Sequence, residues 1–117
     1  MSQQEGPEHH EPQPFVVTED IDASNAGELK PRLIEHMGRF GPELCLDLGQ
    51  VNFIDSTGLG ELVSSYSTVT RHRGQIKLLN LTKKVQDLLA ICRLSTVFET
   101  FESEAEALSS FTVVSTV

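Results

Sequence analysis

Short apolar runs alternate along this chain with longer stretches whose apolar residues recur every three or four positions, and few architectures can satisfy that alternation. Phe15-Val16-Val17-Thr18, Leu44-Cys45-Leu46-Asp47-Leu48, residues 75–80 (QIKLLN) and residues 97–101 read as strands, the second alternating cleanly between apolar and intervening positions. Between them Ala26, Leu29, Leu33 and Met37 fall at helical spacing. So do Leu59, Leu62, Val63, Tyr66 and Val69 over 57–71, and Val85, Leu88, Leu89 and Cys92 over 83–93. Ser103 with Glu106 three residues on predicts a capping box opening a last helix over 105–111. Strand and helix in strict turn imply an α/β layered domain. We expect a mixed, mostly parallel sheet of about four or five strands packed with about four helices.

Punctuation along the chain sharpens these limits. Asp22 and Ser24 are expected N-caps for the first helix, and Pro31 inside its pattern predicts a kink or a late start. Gly38 and Gly41-Pro42 should end it. Residues 50–54 carry the chain over the sheet edge, with Phe53 and Ile54 expected to anchor it in the core. Arg71-His72-Arg73-Gly74 supplies a cationic last turn and a stop to the second helix, and Thr82 caps the third. At 117 residues the chain is one domain. Residues 1–14 read as a polar tail with His9-His10 and three of the five prolines, 15–111 as the folded domain, and 112–117 as a second short tail.

Seventeen acids against nine bases leave a net charge of −8. That balance argues against a nucleic-acid groove or an anionic membrane surface, both of which need basic patches. Cys45 and Cys92 lie far apart without metal or redox spacing, so both are expected to be small buried hydrophobes. No metal site is expected, because His9-His10 lacks preorganised companions, and His36 and His72 read as solvated or dipole-complementing groups near helix ends. No apolar run is long enough to span a bilayer, and the acidic N-terminus lacks the features of a signal peptide. A cytoplasmic location is expected.

Chemistry concentrates in Phe53-Ile54-Asp55-Ser56-Thr57-Gly58-Leu59-Gly60. Here a small hydroxyl, Ser56, stands where an apolar segment ends and a helix begins, at the positive end of the helix dipole. Gly58 and Gly60 weaken that turn by roughly 1 kcal/mol each relative to alanine, and they let another surface approach the helix closely. A plain Ser N-cap on a core helix is the bland explanation. The functional one is a phosphorylation switch. A phosphate on Ser56 adds a charge of about −1.5 to −2, which free helix N–H groups can hold while a docked partner would have to bury it.

With Val51 and Asn52 ahead of it, this segment resembles the phosphorylation segment of STAS-domain proteins, in the branch of bacterial anti-sigma-factor antagonists. The resemblance runs over about 17–108. Ile21-Asp22-Ala23-Ser24-Asn25-Ala26, Leu46-Asp47-Leu48, residues 74–78 and residues 103–108 support it in the family's order. It implies that the unphosphorylated protein binds an anti-sigma factor and frees a sigma factor. That anti-sigma factor is usually an ATP-dependent serine kinase that phosphorylates its antagonist, and a metal-dependent serine phosphatase reverses the step. Ser56 matches the phosphorylated residue, Asp55 the acid before it, and Thr57 the following hydroxyl, in some members a second phosphorylation position. Asp22, Ser24 and Asn25, with Asp55, Ser56, Thr57, Gly58, Leu59 and Gly60, would form the partner surface. The chain itself would carry no cofactor, since ATP and Mg²⁺ belong to the kinase, and it would be a monomer or weak dimer. One departure stands out: the family opens with a two-stranded hairpin where only Phe15-Val16-Val17-Thr18 is available, and Glu19 stands where glycine is common. Either residues 111–114 cover the exposed sheet edge in compensation, or that edge pairs with another protein.

Three rivals compete. A receiver-like phosphoacceptor would use Asp47, but residues 97–101 end without the lysine such domains need. An enzyme would need a base for Ser56, and neither a G-x-S-x-G elbow nor a placed histidine supplies one. A STAS scaffold subunit of a stress-sensing or lipid-transport assembly shares the fold and differs only in what it co-purifies with.

Overall fold

Strands β1 (Pro14–Val16), β2 (Glu43–Asp47), β3 (Gln75–Leu79) and β4 (Glu99–Phe101) lie side by side in chain order, all parallel. The structure is a computed structural model that describes residues 13–112. Parallel neighbours need crossover connections, and helices α1 (Leu29–Phe40), α2 (Ser56–Arg71) and α3 (Lys83–Ile91) supply them, with α4 (Glu104–Thr112) following β4. The expected antiparallel admixture is not seen among the described strands. In register, Phe15 faces Leu46, Leu46 faces Leu78, and Leu78 faces Thr100.

Strand alternation divides the core in two. Leu44, Leu46, Ile76 and Leu78 join Leu33, Leu62, Val69, Val85 and Leu89 of the first three helices in the main cluster. Cys45 and Leu79 point to the opposite face, where Ala107 and Phe111 of α4 close a smaller one. Lys77 shares that second face. It is only 4% exposed, and its ammonium is paired with Glu99 and lies 5.0 and 5.6 Å from the ring centres of Phe111 and Phe101.

Several expectations shift for physical reasons. A 3₁₀ turn (Ala26–Glu28) precedes α1, so the helix starts late and Pro31 falls in its first turn, where a missing N–H costs nothing. Asp22 and Ser24 are not its caps. Gly38 stays helical, and Gly41, at φ 97°, ends the helix. After α2 the left-handed residue is Arg73 rather than Gly74. Strand β1 begins at Pro14, one residue before the expected domain start. Cys92 is exposed at the C-cap of α3 because that helix stops at Ile91, whereas Cys45 is buried as expected. His36 sits inside α1, where its Nε2–H donates to the Gln13 carbonyl at 2.7 Å and its ring packs between Phe15 and Phe40. Phe111 covers a face of the sheet rather than its edge. Val113, Val114, the rest of 113–117, the tail 1–12 and His9-His10 lie outside the described residues.

Candidate functional site

The connection from β2 to α2 runs beside the segment after β1, and the two are stitched together by backbone. Ile21 and Ile54 form a parallel bridge: the Ile21 N–H donates to the Phe53 carbonyl, and the Asp55 N–H donates to the Ile21 carbonyl, each at 3.1 Å. Both isoleucines are buried, so the bridge is nailed to the main core. Asp20 adds a second stitch, one carboxylate oxygen accepting the N–H groups of Asn52 at 2.9 Å and Phe53 at 3.2 Å.

Asp55, extended at φ −84° and ψ −179°, is the N-cap of α2. Its Oδ1 accepts the Gly58 N–H at 2.7 Å, and its Oδ2 reaches across to the Ala23 N–H at 3.0 Å. One carboxylate thus caps the helix and holds the 22–25 turn against it. Within that turn Asp22 Oδ1 accepts the Ser24 N–H at 2.9 Å and the Ser24 hydroxyl at 2.5 Å. The hydroxyl bond, followed by the backbone one, holds the Asp22 carboxyl below its ordinary value of 3.8. Asn25 locks the other side, accepting from the Asp22 N–H and donating to the Asp20 carbonyl.

Ser56 is therefore the first helical residue and not the cap, which removes the bland explanation for a hydroxyl at this position. Its side chain is exposed, as is that of Thr57. The Gly58 N–H is already committed to Asp55. Only the backbone N–H groups of Ser56 and Thr57 remain at this terminus for an added anion.

The two glycines do different jobs. A Cβ on Gly58 would lie 2.6 Å from the Ile21 carbonyl oxygen, so its lack of a side chain serves an internal contact and not a partner. A Cβ on Gly60 would meet no atom within 4 Å. Of the nine expected surface residues, Ser24, Ser56, Thr57 and Gly60 are exposed and Asp22, Asn25 and Asp55 half-buried, all brought together by the stitches described. Gly58 is buried beneath Ile21, and Leu59 packs against the main core, so neither offers itself as expected. Reasoning from sequence missed Asp20, whose partners lie more than thirty residues away, and placed Phe53 inside although it is 55% exposed. The repeat of Asp20 and Asp22 about the buried Ile21 was the available signal of an extended, two-sided segment.

No Lys or Arg occurs in residues 17–29 or 43–70, the stretches that build this surface. Glu19, Asp20, Asp22, Asp55 and Glu61 give it a negative character. A polar cleft of about 480 Å³ lies elsewhere, lined by Asn80, Gln86, Thr100 and Glu102 among others. No described helix is long and apolar enough to cross a membrane.

The STAS domain family model matches residues 7–107. An anti-sigma-B factor antagonist of Listeria monocytogenes is 31% identical over 92 residues, covering 79% of this chain and 81% of its own. The structure of an anti-sigma factor antagonist from Mycobacterium paratuberculosis superposes with a TM-score of 0.72 at 22% identity, covering 87% of this chain and 86% of its own. The Bacillus cell fate determinant SpoIIAA in its phosphorylated form has a TM-score of 0.64 at 14% identity, with 87% and 92% covered.

Proposed function

Because the chain belongs to the STAS-domain family, we propose that it is an anti-sigma-factor antagonist switched by phosphorylation at Ser56. Unphosphorylated, it binds an anti-sigma factor and thereby frees a sigma factor. The anti-sigma factor, acting as a serine kinase, transfers the γ-phosphoryl group of its bound Mg-ATP. The bond from Ser56 Oγ to phosphorus forms, the bond to the ADP oxygen breaks, and the serine proton is lost. A serine phosphatase reverses the modification with water.

One observation carries this reading: Ser56 is exposed on the first turn of a helix whose cap, Asp55, also fixes the neighbouring 22–25 turn. The modified side chain thus sits on a rigid surface built from two segments that themselves contain no Lys or Arg, with Arg32 of α1 at the edge beside Glu19, Asp20 and Asn25. A phosphate there leaves the core untouched and sets a desolvation cost against docking. A hundredfold loss of affinity requires only about 2.7 kcal/mol. Relatives named anti-sigma factor antagonists, and a fold shared with a protein solved in a phosphorylated form, support the assignment.

The test is incubation with the kinase-type anti-sigma factor of the same organism and ATP, followed by mass spectrometry and a binding measurement. Phosphate is expected on Ser56, with Ser56→Ala still binding but unmodified and Ser56→Asp binding weakly. Phosphate found on another residue, or equal binding by both forms, overturns the proposal. Retrieval of a multisubunit scaffold in place of such a kinase would do the same.

A further inference from the structure

Phe53 is exposed for a reason that its own backbone supplies. The neighbouring Ile54 is committed to the buried bridge with Ile21, and successive side chains in an extended segment point opposite ways, so the Phe53 ring is directed outward. It cannot turn back by a local backbone rotation. Its N–H is held by Asp20 Oδ1 and its carbonyl by the Ile21 N–H, with Val51 fully buried on the other flank. A phenylalanine 55% exposed leaves apolar surface in water that docking would remove. Here that apolar surface stands three residues before Ser56 on the same connection, within the two cation-free segments that carry Glu19, Asp20, Asp22, Asp55 and Glu61.

We propose that Phe53 is the aromatic anchor of the Ser56 surface, and that its occupant is a protein face with an apolar socket rimmed by Lys and Arg. This rests on the reading of Ser56 given above and names the chemistry of its partner. Binding energy in interfaces concentrates in a few aromatic residues that fill pockets, while surrounding charges govern encounter and partner choice. A rigidly presented ring loses little conformational freedom on docking. The acids around it reject like-charged competitors and speed the approach of a basic face. Addition of a phosphate at Ser56 puts charge three residues along the same connection from the ring that must be desolvated.

The experiment measures affinity of the full-length chain for the kinase-type anti-sigma factor by calorimetry at low and high salt. Wild type, Phe53→Ala, Phe53→Leu and Ser56→Asp are compared, with thermal midpoints of each. Phe53→Ala is expected to weaken binding at least tenfold with its midpoint unchanged, Phe53→Leu to recover part of the loss, and wild-type affinity to fall as salt rises. If Phe53→Ala binds within twofold of wild type while Ser56→Asp fails to bind, the anchor is wrong and the Ser56 reading stands. If both variants bind as wild type does, both readings fall. Affinity indifferent to salt overturns the basic rim.

Discussion

Replacing Gly58 with alanine sets two effects of opposite sign against each other. Alanine is the better helix former by about 1 kcal/mol, so an unobstructed position would gain stability. At Gly58 the new Cβ meets the Ile21 carbonyl oxygen at 2.6 Å, Ile21 Cγ2 at 2.8 Å and the Ile21 carbonyl carbon at 3.0 Å. The first of these is roughly 0.8 Å inside ordinary van der Waals contact. Ile21 has nowhere to retreat, because its side chain is buried and its N–H and carbonyl both hold the 53–55 segment. Overpacking of this kind costs about 1–3 kcal/mol, and a weakened Asp55–Ile21 hydrogen bond adds about 1 kcal/mol. We therefore expect a net loss of about 1–3 kcal/mol, or a thermal midpoint lower by roughly 5–15 °C for a domain of this size. Gly60→Ala is the control, since its Cβ meets nothing within 4 Å and should gain up to about 1 kcal/mol. Urea and thermal unfolding of the two variants decide the matter. A Gly58→Ala midpoint at or above wild type would refute the claim that this glycine exists for the Ile21 contact.

Two further outcomes follow from side-chain environments. Burial, then the charges of Glu104 and Asp47, push the Cys45 thiol up to about 11, while Cys92 is exposed. A thiol reagent at pH 8 should label one cysteine in the native chain and two after unfolding, and native labelling of Cys45 at the rate of Cys92 would contradict the packing under α4. Asp22 has a lowered folded pKa, so its contribution is present above its ordinary value of 3.8 and disappears as pH falls through the lower folded value. The Ser24 amide resonance should titrate with a midpoint below 3.8, and a midpoint at or above 3.8 would mean that the 22–25 turn is not held as described.

Local pattern revealed what local physics decides. Alternation in Leu44, Leu46 and Leu48 placed β2 and its core face, and the helical stripes placed α1 to α3, because burial imposes those periods. Pro31 marked a late helix start, and Ser103 caps α4 by accepting the Glu106 N–H at 3.1 Å. Contacts between distant segments left no such trace. Nothing near Asp55 announces that its second oxygen belongs to Ala23, and nothing near Phe53 says that the Ile21 bridge turns it outward. Apolar character alone put Phe53 inside, and helical spacing put Cys92 there although α3 stops one residue earlier. Small size let the polar Ser65 and Thr68 be buried on α2, which a stripe of hydrophobic residues does not register.

The double reach of the Asp55 carboxylate has a consequence for recognition. The surface around Ser56 is a discontinuous epitope, assembled from two stretches that lie far apart in sequence and meet in the fold. A short synthetic peptide copying residues 51–60 keeps the Asp55 cap on Gly58 but lacks Ala23, Ile21 and Asp20, and with them the contacts that tie the loop to its neighbouring segment. Whatever reads this epitope reads foldedness together with modification state, and its binding free energy is added to the conformational stability of the domain.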